Sequence, residues 1–280
     1  MQEFFESRYT SNPEEVKQMN TAQLRKNFLI EKIFEPGKVH LTLTHFDRYI
    51  AGGIMPLTEP IDLPLPDNLK VAYFLERREM GIINVGHKGI IMADDVKYEL
   101  DFKEALYLGL GIKKVQFISS DKNNPSKYYV NSALAHHAYP CKKVTRQQSQ
   151  IVELGNKDTA NHRIINKMLV NGIVPTCQLQ MGMTELNRGS IWNTMPPHTH
   201  DRRMEAYFYF EVPERHSVCH FMGEPQETRH IWVQNEQAVI SPNWSIHSGA
   251  GTSNYSFIWG MAGENLDYDD MDRCAINDLK

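Results

Sequence analysis

The sequence predicts a mainly β chain, two tandem barrels behind a short helical N-terminal segment. Three observations carry this. Short runs of alternating apolar and polar residues recur at a spacing of roughly 8–12 residues, the rhythm of a sandwich or barrel. Gly, Asn, Asp and Pro clusters separate them. The two halves are alike in length and strand content, so 1–150 and 151–280 read as two domains, a division that suits 280 residues.

The first ~30 residues carry helix signals. In "SNPEEVKQM", Ser11 or Asn12 is the N-cap, Pro13 takes the first helical position and two acids fill the first turn. "NTAQLRKNFL" restarts the pattern with Thr21 as cap. After Pro36-Gly37, "KVHLTLTHF", "KVAYFLERR", "GIINVGHKGII", "KVQFISSD" and "KYYVNSALA" alternate as strands. "DFKEALYLGLG" reads as a short helical turn. The polar, weakly patterned 142–163 reads as the connection between halves. Seven strand runs follow: "QLQMGMTEL", "GSIWNTM", "MEAYFYFEV", "SVCHFMG", "RHIWVQNEQAVIS", "SIHSGAG" and "YSFIWGMAG". The tail "ENLDYDDMDRCAINDLK" is acidic, either a solvated end or a segment folded back over a neighbour.

Hydrophobic residues make 41% of the chain and charged residues 23%, with a net charge of −4. That is an ordinary globular composition. With no basic stripe interleaved with aromatics, nucleic acid is not an expected partner. No run approaches the ~20 apolar residues of a membrane span, and the acidic start is not a secretory signal. Cys141, Cys177, Cys219 and Cys274 are scattered, which reads as reduced thiols in a cytoplasmic protein.

Chemistry concentrates in "PPHTHDRRMEAYFYF", 196–210. Alternate residues of a strand share a face, so His198 and His200 point the same way. A turn at "DRRM" brings Glu205 beside them. Imidazole and carboxylate together suit zinc, iron, nickel or manganese. A fourth ligand has to come from a more distant strand, and "SPNWSIHSGAG" offers His247, five residues after Pro242. Other histidines, among them His136, His137, His162, His216, His220 and His230, read as surface residues or residues behind the ligands.

These motifs resemble the cupin pattern: a glycine, HxH and a glutamate, then Pro-x-Gly-x-x-His on a later strand. "HTHDRRME" follows the first, with Gly189 upstream. "PNWSIH" follows the second except that Trp244 replaces the glycine, which puts the turn there in doubt. The stretches "CQLQMGMTELNRGSIWNTMPPHTHDRRMEAYFYFEV", "GEPQETRHIWVQNEQAVISPNWSIHSGAGT" and "FIWGMAGENLDYDDMD" resemble the 5-keto-4-deoxyuronate isomerase family, and "YFLERREMGIINVGHKG" extends the resemblance to the first half. It implies two cupin barrels, one zinc per chain on His198, His200, Glu205 and His247, a homohexamer and a small deoxy-uronate substrate. With no HxH-Glu set in the first half, that barrel is expected to be metal-free.

The implied reaction moves a proton between adjacent carbons through an enediol. It needs oxyanion stabilisation, a base and a grip on the substrate carboxylate. If Cys177, Leu179, Met181, Met183 and Glu185 line the barrel, Glu185 is an inward base candidate. Tyr207 and Tyr209 share the face of Glu205 and can hydrogen-bond sugar oxygens. Arg163, Arg202 and Arg229 are carboxylate candidates. The competing readings are a cupin dioxygenase using iron at the same ligands and a non-catalytic sugar-binding cupin.

Overall fold

The computed structural model describes residues 4–264 and 267–280; Asn265 and Leu266 of the acidic tail lie outside them. The chain is mainly β and divides into two compact units. One comprises the segment to Arg8, Lys32–Ser149 and Met168–Gln180; the other comprises Tyr9–Glu31, Gln150–Lys167 and Met181–Lys280.

The first unit has a seven-stranded sheet in the order Phe5–Arg8, Lys38–Thr44, Ile50–Met55, Tyr128–Leu134, Arg78–Asn84, Ala105–Leu108, Lys142–Val144. A four-stranded sheet runs Ile61–Asp62, Val115–Ser119, Gly89–Ala93, Val96–Leu100. Leu41, Ile54, Ile82, Leu106 and Val130 of the first sheet share one buried cluster with Ile91, Leu100 and Phe117 of the second. The Tyr128 ring sits 5.3 Å from Phe117 and its hydroxyl donates to Ile118 O at 2.9 Å, closing the gap between sheets. Glu79 is wholly buried in this unit. Its Oε1 accepts the N–H groups of Gln178 and Leu179, each at 2.7 Å, and its Oε2 accepts Cys177 N–H at 2.8 Å and the Tyr107 hydroxyl at 2.7 Å.

The second unit repeats the plan. Its seven-stranded sheet is ordered Gln150–Leu154, Arg163–Leu169, Gln180–Leu186, Ser256–Gly263, Arg203–Phe210, Gln237–Ser241, Leu29–Ile30. The four-stranded sheet is Trp192–Asn193, Ser248–Gly251, Val218–Glu224, Glu227–Val233. His198–Thr199 pairs with Asp272–Arg273 of the tail, so the tail does fold back. In both units the sheets stay open, which makes each a β-sandwich where the sequence reading spoke of a barrel.

The helices are Pro13–Gln18 and Thr21–Phe28. Asn12 caps the first and forms a capping box with Glu15; Pro13 opens it as expected. The second is capped by Asn20 with Gln23, not by Thr21, because an Asx oxygen one residue earlier reaches the Gln23 N–H at 3.0 Å. "DFKEALYLGLG" is also corrected. Ala105–Leu108 is a strand, fully buried and paired on both sides with Met80–Ile83 and Lys142–Val144. "KVAYFLERR" is mostly irregular with a 3-10 turn at Phe74–Glu76, and the strand begins at Arg78. The supposed connection 142–163 contains the strands Lys142–Val144 and Gln150–Leu154; the latter is a sheet edge, and its exposed faces explain its polarity.

Candidate metal centre

Three segments of the second unit bring the site together. His198 lies on the short strand paired with the tail, where Cys274 N donates to Pro197 O at 3.0 Å. His200 follows, and the turn at Asp201 and Arg202 leads into Arg203–Phe210. Glu205 stands on that strand between Ser241 and Met261 of its two neighbours. His247 follows a turn in which Ser245 N donates to Pro242 O at 3.0 Å. That turn closes without a positive φ at Trp244, so the glycine of the cupin pattern is not required here.

The four side chains converge. Their ligand atoms all lie within 4.8 Å of one another, and each residue is buried. His247 Nε2 is 2.9 Å from His198 Nε2, and Glu205 Oε2 is 3.0 Å from His247 Nε2 and 3.1 Å from His200 Nε2. His200 Nδ1 lies 3.2 Å from Arg203 O, an acceptor only, so this nitrogen carries the proton and Nε2 is left as a lone pair. His247 Nδ1 is similarly engaged by Ser241 Oγ at 3.3 Å. Burial holds His198 well below the usual imidazole range, with His247 and His200 adding to it, and burial likewise lowers His200. Burial alone would raise Glu205, but His247 and His200 outweigh it and hold the carboxyl well below its usual range. His198 and His200 are thus neutral and Glu205 ionised at neutral pH. His200 Nε2 has no well-directed hydrogen-bond partner in the protein. Neutral nitrogens and one carboxylate aimed at a common point fit a divalent cation.

Tyr207 lies on the same face as Glu205, 3% exposed, its ring 5.3 Å from His247. Burial, reinforced by Glu205, raises its phenol well above the ordinary value, so it is a hydrogen-bond donor. Glu185 is placed differently from its expectation. A Cβ on Gly182 would lie 2.3 Å from Trp259 Cζ2, and Trp259 pairs directly with Tyr207. Gly182 therefore faces the site, and Glu185, three residues on, faces away. Its carboxylate accepts from Asn166 Nδ2 at 3.0 Å.

The three candidate arginines separate. Arg229 donates to the carbonyls of Val16, Lys17 and Met19, fastening the end of the first helix. Arg202 pairs with Asp270 and stays 58% exposed. Arg163 is buried, feels Tyr268, Tyr207 and Tyr255, donates Nη1 to Asn161 O at 2.9 Å, and has an Nε without a hydrogen-bond partner. One residue set aside in the sequence reading also belongs here. His220 is wholly buried on Val218–Glu224. The signal was available: Val218, His220 and Met222 are alternate positions of one strand, so apolar neighbours on both sides turn the imidazole inward.

Two open sheets packed face to face, with three imidazoles and a carboxylate gathered at strand ends, define a cupin-type β-sandwich whose buried group can hold a metal ion. The chain belongs to the KduI/IolB family, whose model matches residues 31–276. It is 59% identical over 276 residues to a 4-deoxy-L-threo-5-hexosulose-uronate ketol-isomerase from Formosa agariphila, covering 99% of each chain. A protein of the same name from Lachnoclostridium phytofermentans is 52% identical, covering 98% of this chain and 100% of that one. Among solved structures, an IolB-like protein from Salmonella typhimurium superposes with a TM-score of 0.72 at 15% identity, over 89% of this chain and 97% of the other. Lactobacillus farciminis oxalate decarboxylase gives 0.56 at 8% identity, over 82% and 79%. These two share the fold.

Proposed function

We propose that this chain is a ketol-isomerase of uronate breakdown, converting 5-dehydro-4-deoxy-D-glucuronate to 3-deoxy-D-glycero-2,5-hexodiulosonate. The observation that carries this is the 59% identity to the Formosa agariphila ketol-isomerase along 99% of both chains. The buried group of His198, His200, Glu205 and His247 supports it, and we assign zinc to these four residues, one ion per chain. When bound, the ion supplies Lewis-acid stabilisation of the oxyanion that develops as the aldehyde enolises.

The remaining work falls to the chain's own residues. Tyr207 donates a hydrogen bond to a substrate oxygen beside His247. Arg163 is the reading for the carboxylate grip, because its buried Nε is uncommitted whereas Arg202 and Arg229 are engaged elsewhere. Burial of the site excludes water from the enediol. The first unit has no metal role in this reading: among the described residues the metal-competent group lies in the second. The assembly is read as a homohexamer. A cytoplasmic setting is supported by four free cysteines; no helix among the described residues is long and apolar enough to cross a membrane.

The test is direct. The purified, zinc-loaded chain is given the deoxy-uronate released by an unsaturated-uronate hydrolase, and the reaction is followed by NMR. Loss of the aldehyde signal with growth of a hydroxymethyl ketone is expected. A substrate left unchanged over hours refutes the assignment.

A further inference from the structure

We propose that His220 is a catalytic residue of this isomerisation, its Nε2 relaying a proton between the two oxygens of the enediol while Tyr209 holds the ring. The proposal rests on the isomerase reading above, and its ground is a nitrogen that the protein leaves unspent. His220 is wholly buried, and its Nδ1 lies 2.7 Å from the Tyr209 hydroxyl. Its Nε2 is buried with no hydrogen-bond partner in the protein. An orphaned buried polar atom of this kind is destabilising, so an unmatched nitrogen needs a reason.

The surroundings supply one. His220 pairs across the sheet with Gly249, which places it diagonally from His247, two residues earlier on the adjoining chain segment. Its ring centroid is 5.8 Å from that of Tyr207, which in turn is 5.3 Å from His247. The uncommitted nitrogen therefore belongs to the same interior as the metal-competent group. Gly249 makes the arrangement possible. A Cβ there would stand 2.8 Å from the Tyr255 hydroxyl and 3.0 Å from that of Tyr209, displacing the group that orients the imidazole.

The chemistry follows from the tautomer. Burial raises the Tyr209 phenol well above its ordinary value, so it remains protonated and donates to Nδ1. Nε2 then carries the hydrogen. Burial also holds the ring neutral, with its pKa near 3, and a neutral imidazole is a suitable partner for an enediolate. Converting an aldose to a ketose moves one hydrogen from C2 to C1 and another from O2 to O1. In the second transfer the Nε2–H bond breaks as O1–H forms, and the O2–H bond breaks as Nε2–H re-forms. The ring ends as it began and no electron leaves the substrate.

Three variants test this in the zinc-loaded enzyme. His220→Phe is expected to lose at least ~100-fold in kcat, the low end for general acid–base help, with KM changed less than ~3-fold and metal content by mass spectrometry unchanged. His220→Gln, which keeps an N–H but cannot relay, is expected to stay within ~10-fold of His220→Phe. Tyr209→Phe leaves the imidazole in place and serves should the ring prove necessary for folding; a ~10-fold loss in kcat is expected. Wild-type kcat in His220→Phe, or in Tyr209→Phe if the former is unfolded, overturns the proposal. The 15N signal of His220 Nε2 gives a readout independent of turnover. It is expected to report the Nε2–H tautomer and to move when the deoxy-uronate is added. An unmoved signal overturns the His220 role even in an active enzyme, whereas a moved signal without turnover overturns the isomerase reading alone.

Discussion

The guanidinium of Arg203 donates from Nη2 to the carbonyl oxygen of Tyr268 at 2.8 Å, and from Nη1 to that of Asp267 at 2.7 Å. Arg203 is wholly buried, and its own carbonyl oxygen lies 3.2 Å from His200 Nδ1. One residue thus fixes both the returning tail and the orientation of a metal-site imidazole. Replacing it with methionine keeps the stem but leaves two carbonyls without their charged donor. Arg203→Met should lose about 2–4 kcal/mol in urea unfolding and release the tail to trypsin at Arg273 at least ~10-fold faster. Unchanged tail cleavage, followed by mass spectrometry, would show that the segment is held without Arg203.

Glu79 allows a sharper substitution. Its two oxygens accept from three backbone N–H groups, which can only donate, and from the Tyr107 hydroxyl. Glu79→Gln keeps the shape but turns one end of the side chain into a donor pointed at donors. Although isosteric, it should cost about 2–4 kcal/mol, close to the cost of Glu79→Ala. A loss under about 0.5 kcal/mol by chemical denaturation contradicts the hydrogen-bond assignment.

Acid should unfold the metal-free protein through its buried neutral histidines. His220 has a folded pKa of about 3, set by burial with His247 adding to it against the pull of Glu205. The unfolded ring titrates near 6.5. As pH falls, the unfolded chain takes up the proton first. The stabilisation is complete above about pH 6.5 and is lost progressively toward pH 3, by up to about 1.4 kcal/mol per pH unit for each such ring. Burial lowers His198 and His200 in the same direction. Urea midpoints measured with chelator at pH 7, 6 and 5 should fall less steeply for His220→Phe than for the wild type. Parallel curves mean that His220 titrates in the folded state as it does in the unfolded chain.

The metal-competent group could be read from the sequence because its geometry is local. His198 and His200 are alternate residues, Glu205 follows one turn later, and only His247 comes from further along. Glu185 shows where that reasoning fails. Gln180, Met181, Gly182, Met183 and Thr184 are all buried, so alternation of apolar residues cannot tell the inner face from the outer one. The deciding fact is a clearance, the space that Trp259 needs over Gly182. Ala105–Leu108 failed for a related reason: a short Ala/Leu run buried on both faces has no period to distinguish strand from helix. Arg229 was unreadable because its acceptors lie more than 200 residues away, at the end of the first helix.

That separation bears on the order of synthesis. The strand Leu29–Ile30 lies at the edge of the second unit's large sheet, with Leu29 opposite Val239 and Ile30 opposite Ala238. Arg25 reaches the same region, donating to Trp232 O at 2.9 Å. On a ribosome the N-terminal helices emerge first, but their sheet is translated about 210 residues later. At about 5–20 residues per second this is a wait of about 10–40 s. Throughout it, Leu24, Phe28, Leu29 and Ile30, all buried in the finished fold, have no native surface to cover them. The nascent chain must carry this apolar segment exposed, or in the keeping of a chaperone, until Gln237–Ser241 has been made. Closing the second sandwich therefore waits for Gln237–Ser241, and a chain that stalls before residue 237 cannot complete it.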